Sequence, residues 1–310
     1  MFLNQNQIQE IVNIINYQHI LFIAGNVGAN VLSDEEIKML KSFGVDVAAL
    51  DPITLLEQSF RFGLLSQSIG RKQSEQLSYE AFLRFIGNSG YLPLTEVEQN
   101  ALEFAQRQAA KDIRGLGNRI GQNLESVLIE VDQRQRRAYE NVIRTTTETA
   151  ISNRQSAQEL ALNLGHKTDD WARDFGRISD YVMHSAFDSG RAVQIAKQYG
   201  ENAEVYKDVY EKACKHCNRL YLTDGPGSEP ILFKLKDIKA NGTNIGRHTT
   251  EWLPVIGATH PWCRCTLNYR DPNYDWDENT QSFNKPREYR RVVQRNSRVK
   301  VTIGNTTINV

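Results

Sequence analysis

Long apolar runs are missing from this 310-residue sequence. The opening stretch, "MFLNQNQIQEIVNIINYQHILFIAG", lacks the basic start and unbroken apolar centre of a secretory leader, because Asn and Gln interrupt every run. No later segment approaches the roughly 20 apolar residues of a membrane span. These absences predict a soluble chain made in the cytoplasm, with no membrane partner. A surplus of charge is missing too: 37 Lys and Arg stand against 37 Asp and Glu, so any attraction to nucleic acid has to be local. There is no Gly-x-x-x-x-Gly-Lys-Ser/Thr phosphate loop, no Gly-x-Ser-x-Gly elbow and no His-Glu-x-x-His helix. The chain is therefore read as a non-enzyme.

Cysteine is scarce, and its distribution is informative. All four cysteines fall in two close pairs, one in "CKHC" (Cys214 to Cys217) and one in "HPWCRC" (His260 to Cys265). In a reducing compartment such pairing points to a metal rather than to disulfides. Zinc takes four thiolate or imidazole ligands in a tetrahedron, and a Cys-x-x-Cys turn presents two sulfurs from one knuckle. Five donors compete for four places: Cys214, Cys217 and Cys263, with either Cys265 or His260 completing the set. His216, inside the knuckle, is expected to point away. Four protein ligands close the coordination sphere, and the His-x-Glu of the zinc deaminases is absent. The expected cofactor is a structural zinc.

Helical punctuation dominates the first two thirds. Ser33 and Glu36, and again Thr95 and Glu98, have capping-box spacing. Asp51 and Pro52 read as a cap and first helical residue. Ile113, Leu116, Ile120, Leu124, Val127, Val131, Ala138 and Val142 recur at three- and four-residue steps, a single helix face, with a bend expected at Gly115, Gly117 and Gly121. A third helix places Trp171, Phe175, Ile178, Val182, Ser185, Ser189 and Val193 on one side and stops at Gly200. His184 on that helix reads as a core or interface histidine. Beyond it, "AEVYKDVYEKAC" alternates as a half-buried strand leading into Cys214. The predicted fold is mainly α with a small α+β module. Its parts are an N-terminal helical region (1–92), long amphipathic helices (93–200), a zinc-stapled module (201–272), and a basic tail with a terminal β-hairpin (273–310).

The tail carries the largest local charge bias. "KPREYRRVVQRNSRVK" holds seven basic residues against Glu288. Arg287, Arg290, Arg291, Arg295, Arg298 and Lys300 are therefore candidate contacts to nucleic acid or to an acidic partner surface. "VKVTIGNTTINV" sets two β-prone runs around Gly304-Asn305, a hairpin signal.

Over residues 170 to 270 the chain resembles the phage Mu gpF-like head morphogenesis proteins, minor capsid proteins of tailed bacteriophages. The resemblance rests on a helix with a "DSGR" step (Asp188 to Arg191), a strand running into "CKHCNRL" (Cys214 to Leu220), and the closing "HPWCRC" (His260 to Cys265). It implies a structural role in the virion head after synthesis in the bacterial host. It also implies association with the portal or the inner surface of the major capsid protein, several copies per particle, and contact with packaged DNA. Two readings compete: a zinc-containing nucleic-acid-binding protein using the arginine tail, and a metal-dependent hydrolase or toxin with an open zinc position.

Overall fold

Local sequence signals account for most helix boundaries in the computed structural model, which describes residues 13, 16–51, 53–69, 93–128, 169–284, 300–303 and 306–309. Helix α1 (Asp34–Ser42) opens on the Ser33/Glu36 capping box, formed reciprocally. Helix α2 (Leu55–Ile69) starts later than expected. Thr54 caps it, its hydroxyl accepting from the Glu57 amide at 3.3 Å, while Asp51 accepts from the Ile53 amide in the turn before. Pro52 lies outside the described residues. Helix α3 (Glu96–Leu128) opens on the Thr95/Glu98 box and runs unbroken through all three glycines. Gly117 there has a packing role, since a Cβ would lie 2.9 Å from the His19 ring. Of the predicted stripe, Ile113 and Leu116 are buried. The stripe positions Val131, Ala138 and Val142 lie outside the described residues. Helix α4 (Asp169–Tyr199) buries Ile178 and Val182 and ends at Gly200, whose positive φ of 83° makes it the left-handed stop.

The chain forms two compact units, each assembled from two stretches of sequence: residues 1–58 with 104–183, and residues 59–103 with 184–310. In the first, Tyr17, Ile20, Leu21, Ala24 and Leu40 form an apolar cluster. The helical residues 16–22 pass into a π-helical turn, Ile23–Val27, whose last carbonyl accepts from the Gln106 amide at 2.8 Å. Arg114 grips both Glu36 oxygens at 2.6 and 2.7 Å. Burial opposes the charge of Glu36, yet Arg114 and the Ser33 amide hold its pKa below the ordinary carboxylate value.

The second unit is built on a three-stranded antiparallel sheet of order β2-β1-β3, with β1 Glu204–Asp208, β2 Phe233–Lys234 and β3 Thr266–Tyr269. Two short helices, α5 (Lys215–Tyr221) and α6 (Leu235–Ala240), lie between these strands in sequence. Val205, Leu235, Ile238 and Leu267 form a core with Ala192 and Ile195 of α4. The expected half-buried β1 is instead buried on both faces: Val205, Tyr206 and Lys207 are all enclosed. The physical reason is a second cover. A hairpin of β4 (Asp275–Asp277) and β5 (Ser282–Asn284) sets Phe283 edge-on against Tyr206, with centroids 4.9 Å apart. Close helix packing completes this unit. A Cβ on Gly190 of α4 would lie 2.0 Å from the Phe60 carbonyl oxygen of α2, so only glycine admits this approach.

The predicted terminal hairpin forms, with β6 (Lys300–Ile303) antiparallel to β7 (Thr306–Asn309). Lys300 pairs with Asn309 at its open end. The other basic candidates, Arg287, Arg290, Arg291, Arg295 and Arg298, lie outside the described residues. The molecule is thus mainly helical with small antiparallel strands. Among the described residues, no helix is long and apolar enough to cross a membrane.

Candidate metal centre

The two cysteine motifs, more than 40 residues apart in sequence, converge in the second unit. Cys214 is the N-cap of α5 and Cys217 lies in its first turn, so one helical start delivers two sulfurs. The second motif is a tight turn. The Cys263 amide donates to the His260 carbonyl at 3.1 Å, and Trp262 between them adopts a left-handed φ of 63°. That conformation is unusual for a bulky residue, and it falls within the turn that joins His260 to Cys263.

Among the described residues, five donors form two triads that share Cys217: Cys214, Cys217 and His260, and Cys217, Cys263 and Cys265. His260 Nε2 is 3.2 Å from Cys214 Sγ and 3.3 Å from Cys217 Sγ, and the Cys217 and Cys263 sulfurs are 3.9 Å apart. A tetrahedral ion with bonds of about 2.3 Å to sulfur separates its sulfurs by about 3.8 Å, close to the Cys217–Cys263 spacing, whereas Cys214 and His260 share no triad with Cys263 and Cys265. The donor set is compatible with a metal site. All four cysteines are free thiols, and three are buried.

Partners behind the donors orient them. His260 Nδ1 lies 2.6 Å from the Pro261 carbonyl oxygen. A carbonyl oxygen only accepts, so Nδ1 is the donor in this contact, and Nε2 faces the Cys214 and Cys217 sulfurs. The ring stacks on Trp252 at 5.5 Å, and Trp252 meets His216 edge-on from another side. His216 therefore belongs to neither triad, as expected. Hydrogen bonds from Cys217 and Cys265 favour the thiolate of Cys263 and hold its pKa far below the ordinary thiol value, with the Lys207 ammonium and the Thr259 amide adding to the effect. Its thiol neighbour Cys217 is driven up by the same contact.

The scaffold around the centre is a polar network that the composition gives no hint of. Lys207 Nζ donates to Asp188 Oδ2 at 2.6 Å, to the Gly257 carbonyl at 2.8 Å and to the Ile256 carbonyl. Asp188 Oδ1 accepts from the Leu267 amide at 3.0 Å. Arg191 spends its fork on the Leu267 carbonyl, Asn268 Oδ1 and Ser66 Oγ at 2.6, 2.6 and 2.8 Å. His184 Nε2 reaches the Cys265 carbonyl at 3.0 Å and is half-buried, in keeping with a core role. About two turns of α4, from His184 to Arg191, therefore hold the strand that follows Cys265 and, through Asp188 and Lys207, the loop that precedes His260. The Asp188 to Arg191 step was legible as a motif, but Lys207, Tyr221 and Trp252 were not singled out by the sequence. Tyr221 is fully buried and bonds Thr259 Oγ1 at 2.7 Å, next to His260.

The long connection between the motifs is ordered by its own side chains. Asn244 both donates to the Leu253 carbonyl at 2.9 Å and accepts from the Leu253 amide at 3.0 Å. Trp252 Nε1 donates to the Arg247 carbonyl at 3.2 Å, which fixes the indole that His260 stacks on. Compared with known proteins, the chain has no match among family models, curated proteins or solved structures.

Proposed function

We propose that this chain is a structural component of a tailed-phage head, stapled by one zinc ion. Cys214, Cys217 and Cys263 are three of its ligands, and His260 or Cys265 is the fourth. The observation that carries this reading is the convergence of every piece of the gpF-like signature. "CKHC", "HPWCRC" and the Asp188–Arg191 step are scattered in sequence, yet they meet in one small module. A signature whose parts serve one structural unit suits an assembly protein. A metal held only by the folded module adds its binding free energy to the module's stability.

In this reading the module docks the chain to the portal or to the inner face of the major capsid protein, and the basic tail meets packaged DNA. Zinc is structural, because four protein ligands leave no open position for water. The test is assembly. Heads formed in the presence of the chain are purified and assayed for it, together with the zinc content of the free protein. The expected result is about one zinc per chain and recovery of the chain with heads. Cys217→Ser, which removes the sulfur common to both triads, is expected to lose both. Normal incorporation of a zinc-free Cys217→Ser chain would sink the staple, and absence of the intact chain from heads would sink the assembly role.

A further inference from the structure

The surface around the Cys/His centre is predominantly basic. We propose that this face of the second unit binds single-stranded nucleic acid, with cations following the phosphates and exposed aromatic rings stacking on bases. The inference goes beyond the head-assembly reading and does not depend on it, since it needs only that the two cysteine motifs converge.

Convergence of the motifs brings their neighbouring residues together around one centre. Lys212, Lys215 and Arg219 accompany the first motif and Arg264 lies within the second, and all four are exposed. Lys215 and Arg219 are four residues apart on α5, the spacing that sets two side chains on the same helix face. Arg219 donates to the Thr249 carbonyl at 3.1 Å, which ties that face to the segment carrying Trp252, the indole stacked on His260. Within residues 211–219 and 247–264 the acids are Glu211 and Glu251 alone, and the Glu251 carboxylate accepts from the His248 amide at 3.3 Å. Elsewhere in this unit exposed lysines have glutamate partners, Lys234 with Glu204 and Lys239 with Glu201, both at 3.0 Å. Among the described residues Lys212 and Lys215 have no such partner, so their charge is available to an external anion.

Aromatic surface accompanies the charge. Trp262, 39% exposed, holds a left-handed φ of 63° at a position where glycine would be free of strain. An exposed ring kept on a strained backbone marks a contact position rather than a core one. Tyr210, whose backbone amide meets the Cys265 sulfur, is 46% exposed. Cations beside exposed rings are the combination that holds single strands, because phosphates are matched by charge and unpaired bases stack. An acidic protein surface would use the charge alone, and a duplex keeps its bases stacked on each other.

The test is fluorescence anisotropy of a labelled oligothymidylate of about 20 nucleotides with the full chain, zinc supplied, repeated across salt concentrations. Binding is expected to fall steeply with salt, and a duplex of equal length is expected to bind more weakly. Lys215→Gln combined with Arg219→Gln should weaken binding roughly 10-fold or more and lower the salt slope by about 1.4, the share of two single-strand contacts. Trp262→Gly, which relieves the backbone, should weaken it about 10-fold, while Trp262→Phe should keep most of it. Far-UV circular dichroism should match the parent in all of these, so that a lost contact is not read as a lost fold. Arg290→Gln combined with Arg291→Gln is the comparison in the tail. Loss on that change but not on the Lys215 and Arg219 change would assign the contact to the tail and overturn the proposal. So would no binding by the intact chain, or equal or tighter binding of the duplex. Displacement of the oligonucleotide by polyglutamate at equal charge would overturn it too, and would make the face a site for an acidic protein.

Discussion

The two compact units use opposite means to hold together. The first relies on side chains that leave water without charge: Tyr17, Ile20, Leu21, Ala24 and Leu40 make its apolar cluster, and its ion pair of Glu36 and Arg114 sits partly exposed. The second buries charge itself. Lys207 and Asp188 are 1% and 0% exposed, and Arg191 is buried beside them, next to a Cys/His cluster. A helical unit satisfies its backbone internally and needs only an apolar face. A module of short strands and long connections has loose carbonyls, such as those of Ile256, Gly257 and Leu267, and enlists buried cations to bind them.

The comparison is broken most directly at Lys207. Lys207→Met leaves Asp188 as an uncompensated buried charge and frees two loop carbonyls, so a loss of about 3–5 kcal/mol is expected. Peptide-resolved hydrogen exchange should show it in residues 184–284 first. Adding Asp188→Leu to that variant should restore part of the loss, since an apolar pair costs less than a lone charge. If Lys207→Met exchanged no faster than the parent, the network would not be what holds the loop.

In the first unit the matching change is Leu40→Ala, which opens a cavity in the apolar cluster. A loss of about 3 kcal/mol is expected, read by urea denaturation as a lower midpoint. It should leave the metal content of the chain unchanged. A smaller effect sharpens the contrast from the other direction, because the first unit holds one ill-placed charge. Burial pushes the Asp112 carboxyl up to about 6, with Gln108 donating to Oδ1 at 3.0 Å and Oδ2 without a hydrogen-bond partner among the described residues. A folded pKa above the unfolded one means that the protonated form is favoured in the native state. That stability is fully present below about pH 4 and is lost as pH rises through about 6. Asp112→Asn should therefore stabilise the chain at neutral pH by ~1–2 kcal/mol, allowing for its partial exposure, and flatten the rise in stability between pH 6 and 4. An unchanged pH profile in thermal melts would show that Asp112 is not responsible.

Much of this was legible because it is local. Capping boxes at Ser33 and Thr95 and the stop at Gly200 are read within four residues, and all three stand. Asp51 was misread because Thr54, three residues on, competes for the same role, and its hydroxyl also donates to the distant Val27 carbonyl at 3.1 Å. The burial of β1 was misread because alternation reports one covered face, and Phe283, far along the chain, supplies the other. At the centre, residue type and spacing named all five donors. Chemistry there is carried by rare side chains, and cysteine has few other uses in such a pattern.

What the sequence alone determined, then, is the inventory: mainly helical segments with their ends, a terminal hairpin, and a Cys/His donor set in two halves. These follow from short-range hydrogen bonding and residue chemistry, which act through neighbours in the chain. Only the tertiary structure decided that the halves overlap at Cys217, that Nε2 of His260 meets the Cys214 and Cys217 sulfurs, and that Lys207 is a buried cation between Asp188 and the 256–257 carbonyls. Those depend on contacts between residues 19 to 50 positions apart, and on which groups are removed from water together.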